Sequence, residues 1–97
     1  IIVDDMTSTA GTLTAASKLL EEAGAKSIRA AVSHSLLLEK GILRLKNSSI
    51  IELITTNTIP QKSFNDINVT VLSVADLLAE AITRIHNNQS VSSLFAD

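Results

Sequence analysis

Two adjacent carboxylates, Asp4 and Asp5, stand just ahead of a run of small side chains, Ser8-Thr9-Ala10-Gly11-Thr12. The run follows a β-branched stretch, Ile1-Ile2-Val3, which reads as the end of a buried strand, and it enters an amphipathic helix at Thr12 or Leu13. A strand, a tight turn and a helix N-terminus in succession leave backbone N–H groups unpaired, at the positive end of the helix dipole. This arrangement makes an anion site without any basic side chain. The small residues Ser8, Thr9, Ala10 and Gly11 let a phosphate approach the backbone, and Thr9 and Thr12 can add hydroxyl donors. Carboxylates repel phosphate, so Asp4 and Asp5 must act elsewhere, by accepting hydrogen bonds from sugar hydroxyls or by holding Mg2+ through oxygen. A plainer reading competes. Asp and Thr are ordinary helix caps, and strand–turn–helix connections of this kind occur in many α/β domains without a ligand.

The elements that must position this loop follow in order. Leu13, Ala16, Leu20 and Ala23 fall at helical spacing, and Gly24 sits where a left-handed C-terminal cap belongs. Residues 27–33 read as a second, mostly buried strand parallel to the first, with His34 at its C-terminal end, where ligand sites collect in open parallel sheets. His34 is either a structural neighbour of the site or a catalytic group. Leu38, Ile42 and Leu45 outline a second helix with Glu39, Lys40, Arg44 and Lys46 solvated, weakened by Gly41 by about 1 kcal/mol relative to Ala. Residues 50–55 give a third buried strand ended by Thr56-Asn57-Thr58-Ile59-Pro60, in which the Pro stops the strand. An exposed loop over 61–68 leads to a short strand over 69–72. Ser73 and Asp76, at capping-box spacing, then open a third helix with Leu78, Ala81, Ile82 and Ile85 on one face. The order implies an α/β fold: a largely parallel sheet flanked by helices.

Composition narrows the function classes. The chain has 97 residues, enough for a single domain over 1–97, with no internal repeat or linker. A formal charge of −2 and only two aromatics, both Phe, argue against nucleic-acid binding. The absence of Cys excludes disulfides, thiolate catalysis and Cys-type zinc sites. No apolar run approaches membrane-spanning length and no signal peptide is visible, so a cytoplasmic protein without a membrane partner is expected. The chain opens inside a strand without Met, so the sheet is expected to be truncated at its N-terminal strand.

Val3-Asp4-Asp5-Met6 followed by Thr9-Ala10-Gly11-Thr12 resembles the ribose 5-phosphate loop of the ribose-phosphate pyrophosphokinases, the PRPP synthetases. More widely it resembles the PRPP loop of type I phosphoribosyltransferases. Thr56-Asn57-Thr58-Ile59-Pro60 resembles the segment that PRPP synthetases carry after the same strand. The ending Ala79-Glu80-Ala81-Ile82, Arg84-Ile85-His86-Asn87 and Ser90-Val91-Ser92, then Leu94-Phe95, separates them from ordinary phosphoribosyltransferases.

The resemblance implies a type I phosphoribosyltransferase-like fold corresponding to the family's C-terminal domain. It also implies a ribose-phosphate diphosphokinase that transfers diphosphate from Mg-ATP to ribose 5-phosphate, forming PRPP for nucleotide biosynthesis. Asp4, Asp5, Ser8, Thr9, Ala10, Gly11 and Thr12 would bind ribose 5-phosphate, with Asp4 and Asp5 also at Mg2+. ATP would be held mainly by an N-terminal half outside this chain, leaving the chain inactive alone. Ser90, Ser92 and Phe95 would form an allosteric site for phosphate or ADP in a homo-oligomer, a hexamer in the family.

Three departures stand out. Ser8 replaces the usual third Asp, Ser33-His34-Ser35 replaces Thr-His-Gly, and Ser93 stands where an aromatic is frequent. The Ser8 change favours a non-catalytic alternative, a PRPP-synthetase-associated or PRPP-sensing regulatory protein. A phosphoribosyltransferase is the other.

Overall fold

A computed structural model describes residues 1–95; positions 96 and 97 of the expected domain lie outside the described residues. The elements run β1 (Ile2–Thr7), α1 (Gly11–Glu22), β2 (Ile28–Ser35), α2 (Glu39–Lys46), β3 (Ile50–Thr56), β4 (Val69–Leu72) and α3 (Ala75–His86), ending in a 3-10 turn at Ser92–Phe95. The four strands form one sheet in the order β1-β2-β3-β4, and every neighbouring pair is parallel. The fold is α/β, as its alternating pattern dictates. Parallel neighbours need a crossover of about a dozen residues or more. Helices supply the first two, whereas residues 57–68 join β3 to β4 without one.

The helices α1 and α2 cover one face of the sheet. Leu13 of α1 and Leu45 of α2 meet Ala30, Val32 and Leu53 from the strands, with Ala10 at the same core. On α1 the inward stripe is Leu13 and Ser17; Leu19 and Leu20 of the same helix remain exposed. Ser17 tolerates burial because its hydroxyl donates to Thr14 O. The expected cap at Gly24 is present: Gly24 has φ 92°, its N–H donates to Glu21 O, and Ala25 N–H donates to Leu20 O.

Several boundaries and burials differ from expectation. β1 continues to Thr7, so Asp4 and Asp5 lie in the strand, and His34 lies inside β2. β1 is an edge strand of this sheet, and Ile1 and Val3 are 84% and 78% exposed, with no helix among the described residues covering their face. α3 begins at Ala75 with no side-chain cap bond of its own, since the Ser73 hydroxyl accepts from Ala75 N–H and Asn57 Oδ1 accepts from Val74 N–H. No residue of α3 is buried, and Leu77, Leu78, Ile82 and Ile85 stay exposed. With its last helix unpacked the chain is elongated: its radius of gyration is 16.0 Å, against about 12.5 Å for a compact chain of this length.

On the face away from α1 and α2, Glu52 ties three strands together. The Thr70 hydroxyl donates to Glu52 Oε2 at 2.5 Å and Arg29 Nε donates to Oε1 at 3.1 Å. The Thr70 hydroxyl, then the Arg29 hydrogen bond and charge, hold the Glu52 carboxyl below its usual range, with desolvation opposing. A carboxylate depressed in the folded state stabilises above its unfolded pKa, and that contribution disappears as pH falls through the folded value. Glu52→Gln should therefore be less stable than the parent at neutral pH and nearly equal to it in acid. Thermal unfolding across that pH range measures the converging curves.

Candidate functional site

The loop between β1 and α1 owes its shape to one unusual backbone angle. Ala10 caps α1 with φ 56° and ψ 18°, the left-handed region that costs a non-glycine residue roughly 1–2 kcal/mol. No side chain caps this helix. Thr14 N–H makes the first helical bond, to Ala10 O at 3.0 Å. Among the described residues the N–H groups of Gly11, Thr12 and Leu13 have no acceptor, and neither do the hydroxyls of Ser8, Thr9 and Thr12. They border a pocket of about 200 Å³ lined by Asp4, Met6, Thr7 and the loop as far as Leu13. A ring of free donors at a helix N-terminus is what a phosphate dianion takes up.

The two carboxylates divide. Successive strand residues point to opposite faces of the sheet, and only Asp4 lines the pocket. Each carboxylate also accepts from its neighbour in sequence: Asp5 N–H donates to Asp4 Oδ1 at 2.9 Å and Met6 N–H to Asp5 Oδ1 at 2.7 Å. For Mg2+, Asp4 offers a hard oxygen ligand at the pocket. That fits an ion held by one carboxylate with substrate oxygens and water. Among the described residues no cluster of three or more His, Asp or Glu side chains could enclose a metal ion by itself.

Behind the loop stands α2. Leu36 N–H donates to Thr7 O at 3.0 Å and Leu38 N–H to Ser8 O at 3.1 Å. Gly41 is buried against the loop backbone: a Cβ placed there would lie 2.4 Å from Ser8 O and 3.2 Å from Thr9 C. Arg44 Nη1 donates to Thr9 O at 3.1 Å, so Arg44 is half-buried against the loop, where sequence pattern alone sets it in solvent. Gly41 weakens α2 in propensity, and its missing side chain is what lets the helix approach. Neither role is legible from hydropathy. The available signal is the Gly41–Arg44 spacing, which puts both residues on one helical face.

His34 and the Thr56-Asn57-Thr58 segment meet at the C-terminal ends of the strands. His34 pairs with Met6 across β1 and β2, and its Nδ1 lies 2.7 Å from Thr58 Oγ1. Thr56 Oγ1 donates to Ser33 O at 2.6 Å, and Asn57 N–H donates to Leu72 O at 3.1 Å. The segment is thus a polar tie among β2, β3 and β4. His34 does not line the loop pocket.

The tail is a separate constellation. Residues 92–95 form a 3-10 turn. The hydroxyls of Ser90 and Ser92 meet, at 3.0 Å, because Ser92 N–H donates to Ser90 Oγ and folds the chain back. Arg84 bonds Glu80, Ser90 O and Ser93 Oγ, and with Gln89 and the serines it borders an open cavity of about 520 Å³. Phe95 is 79% exposed, so it does not dock on its own domain.

Comparison with known proteins places the chain. A family described as "Phosphoribosyl synthetase-associated domain" matches residues 1–96. The chain is similar to the ribose-phosphate pyrophosphokinase of Halalkalibacterium halodurans, 49% identical over 96 residues, covering 98% of this chain and 30% of that protein. It is also similar to that of Marinomonas sp., 43% identical over 97 residues, covering 98% and 31%. The crystal structure of phosphoribosylpyrophosphate synthetase from Mycobacterium smegmatis superposes with a TM-score of 0.79 at 39% identity, covering 89% of this chain and 29% of that one. The chain spans about a third of the length of these relatives.

The contact between Gly41 and the loop can be tested directly. Gly41→Val forces either α2 or the loop to move, and overpacking of this kind costs typically about 1–3 kcal/mol. The variant should unfold at lower temperature than the parent, with the largest amide chemical-shift changes at Ser8 and Thr9.

Proposed function

Because the chain belongs to the phosphoribosyl synthetase-associated domain family, we propose that it is the ribose 5-phosphate-binding part of a ribose-phosphate diphosphokinase. The observation that carries this reading is the set of free N–H groups following the left-handed Ala10, beside a single pocket carboxylate, Asp4. The N–H groups of Gly11, Thr12 and Leu13, with the hydroxyls of Ser8, Thr9 and Thr12, hold the 5′-phosphate. Asp4 accepts from a ribose hydroxyl or ligates Mg2+, while Asp5, on the opposite face of β1, stands outside this pocket.

In the overall reaction the anomeric hydroxyl oxygen forms a bond to the β-phosphorus of ATP. The bond from that phosphorus to the oxygen bridging to the α-phosphorus breaks, AMP leaves, and the hydroxyl proton is lost. Such chemistry rests on positioning and charge stabilisation. Mg2+, when bound, neutralises the charge on the transferring phosphates. This chain's share is to fix the sugar, and ATP is bound chiefly by residues outside it.

The tail supports a second role within the same enzyme. Ser90 and Ser92, gathered beside Arg84, receive an inorganic phosphate or the phosphates of ADP, and the exposed Phe95 is covered by a neighbouring copy in a homo-oligomer. Ser8, in the position of a usual acidic residue, favours one other reading, a regulatory protein that binds the sugar phosphate without catalysis. A full-length protein that binds ribose 5-phosphate but forms no PRPP supports that alternative.

Two outcomes test these assignments. Gly11→Val brings a side chain against Arg44 Nη1, which lies 3.1 Å from the position its Cβ would take, and so displaces the loop backbone that holds the phosphate. It should weaken ribose 5-phosphate binding at least about tenfold by calorimetry, the scale of one charge-assisted hydrogen bond. Asp4→Ala should reduce Mg2+-dependent activity of the full-length enzyme more than phosphate affinity.

For the tail, Ser90→Ala with Ser92→Ala in the intact oligomer should blunt phosphate activation and ADP inhibition while ribose 5-phosphate affinity stays unchanged. Steady-state rates against each effector are the measurement.

A further inference from the structure

We propose that Arg44 is the positioning residue of the loop, holding Ala10 in its left-handed conformation by clamping the preceding carbonyl. The proposal rests on the reading of this loop as the ribose 5-phosphate site. Arg44 Nη1 donates to Thr9 O at 3.1 Å, and this is the carbonyl of the peptide that leads into Ala10. A left-handed conformation at a non-glycine residue persists only where the surroundings over-determine it. Here the determinants are local and few. Ser8 O is fixed by Leu38 N–H, Ala10 is itself buried at the core, and Thr9 O between them is fixed by Arg44.

The side from which Arg44 arrives separates positioning from direct binding. Arg44 lies in the groove between α1 and α2, with Thr14, Lys18 and Asn47, and is not among the residues lining the loop pocket. Its guanidinium therefore meets the back of the loop, while the free N–H groups face the pocket. A guanidinium fixed by geometry on a carbonyl orients the peptide; a lysine ammonium is a compact point charge on a flexible stem and does not reproduce that hold. With Thr9 O released, Ala10 can relax to a right-handed or extended conformation, and the donor ring opens.

The test uses Arg44→Met and Arg44→Lys, with ribose 5-phosphate as the probe. Two readouts are needed: binding by calorimetry at low salt and at high salt, and the Ala10 Cα and Cβ chemical shifts without ligand. Arg44→Met should weaken binding about tenfold, the scale of a hydrogen bond to a charged group. It should also shift the Ala10 resonances away from left-handed values. Arg44→Lys should recover only a minor part of the affinity, and both deficits should persist at high salt, where long-range charge effects are screened. Should Arg44→Met fail to fold, Arg44→Lys, which retains the charge and the stem, decides by the same readouts. Unchanged Ala10 resonances overturn the clamp. Full recovery by Arg44→Lys, or a deficit that vanishes at high salt, also overturns it and makes Arg44 a through-space charge. If the parent does not bind ribose 5-phosphate, the functional reading fails by itself, and the Ala10 resonances still judge the clamp.

Discussion

Ser8 O has almost no free space beside it. Leu38 N–H donates to it, and the backbone of Gly41 comes so near that a single added methyl would overlap it. This close approach, possible only without a side chain, joins the turn after β1 to the start and middle of α2. It sets the height at which Arg44 reaches Thr9 O, and the left-handed Ala10 follows one residue later. The direction of α1, which begins at Gly11, depends on that angle, and so does the ring of free donors at its N-terminus. A site formed by main-chain groups is only as precise as the packing behind them.

The energetics of the rest of the molecule follow from covering one sheet face only. The core joins Ala10, Leu13, Ala30, Val32, Leu45 and Leu53 in one cluster beneath α1 and α2. It lies directly under the loop, so the same apolar contacts stabilise the fold and the site. Away from it, a shallow trough bounded by Val3, Ala31, Ile54 and Leu72 lies open, and the apolar stripe of α3 is left uncovered among the described residues. For a chain that spans about a third of its relatives, apolar surface left in this state is a cost to stability at roughly 25 cal/mol per Å² left uncovered.

Local chemistry was legible where one element carries its own signal. The β-branched and helical periodicities gave the order of elements. Gly24 marked the end of α1 because only its left-handed angle completes that cap. The small residues from Ser8 to Gly11 marked a close backbone approach. Legibility failed where the cause lay in a distant segment. Asp4 and Asp5 read as loop residues, but β1 extends through them to Thr7 because β2 offers a parallel partner as far as Ser35. Ile1 and Val3 read as buried, but among the described residues no helix covers the face on which Val3 stands.

Sequence alone determined that a strand, a small-residue turn and a helix follow one another, and that any ligand there would meet backbone donors. This follows because hydrogen-bond supply at a helix start is a local property of the chain. Tertiary structure decided which of two adjacent carboxylates faces that site, through the pleat of β1, and that Ala10 takes a glycine-like angle. It also turned Gly41 and Arg44 from an apparent helix defect and a solvated charge into the support of the loop. The separation from Thr9 to Arg44 along the chain is closed only when β2 lies beside β1 and brings α2 against the turn. No local pattern encodes that meeting, because its partners become neighbours only through the sheet.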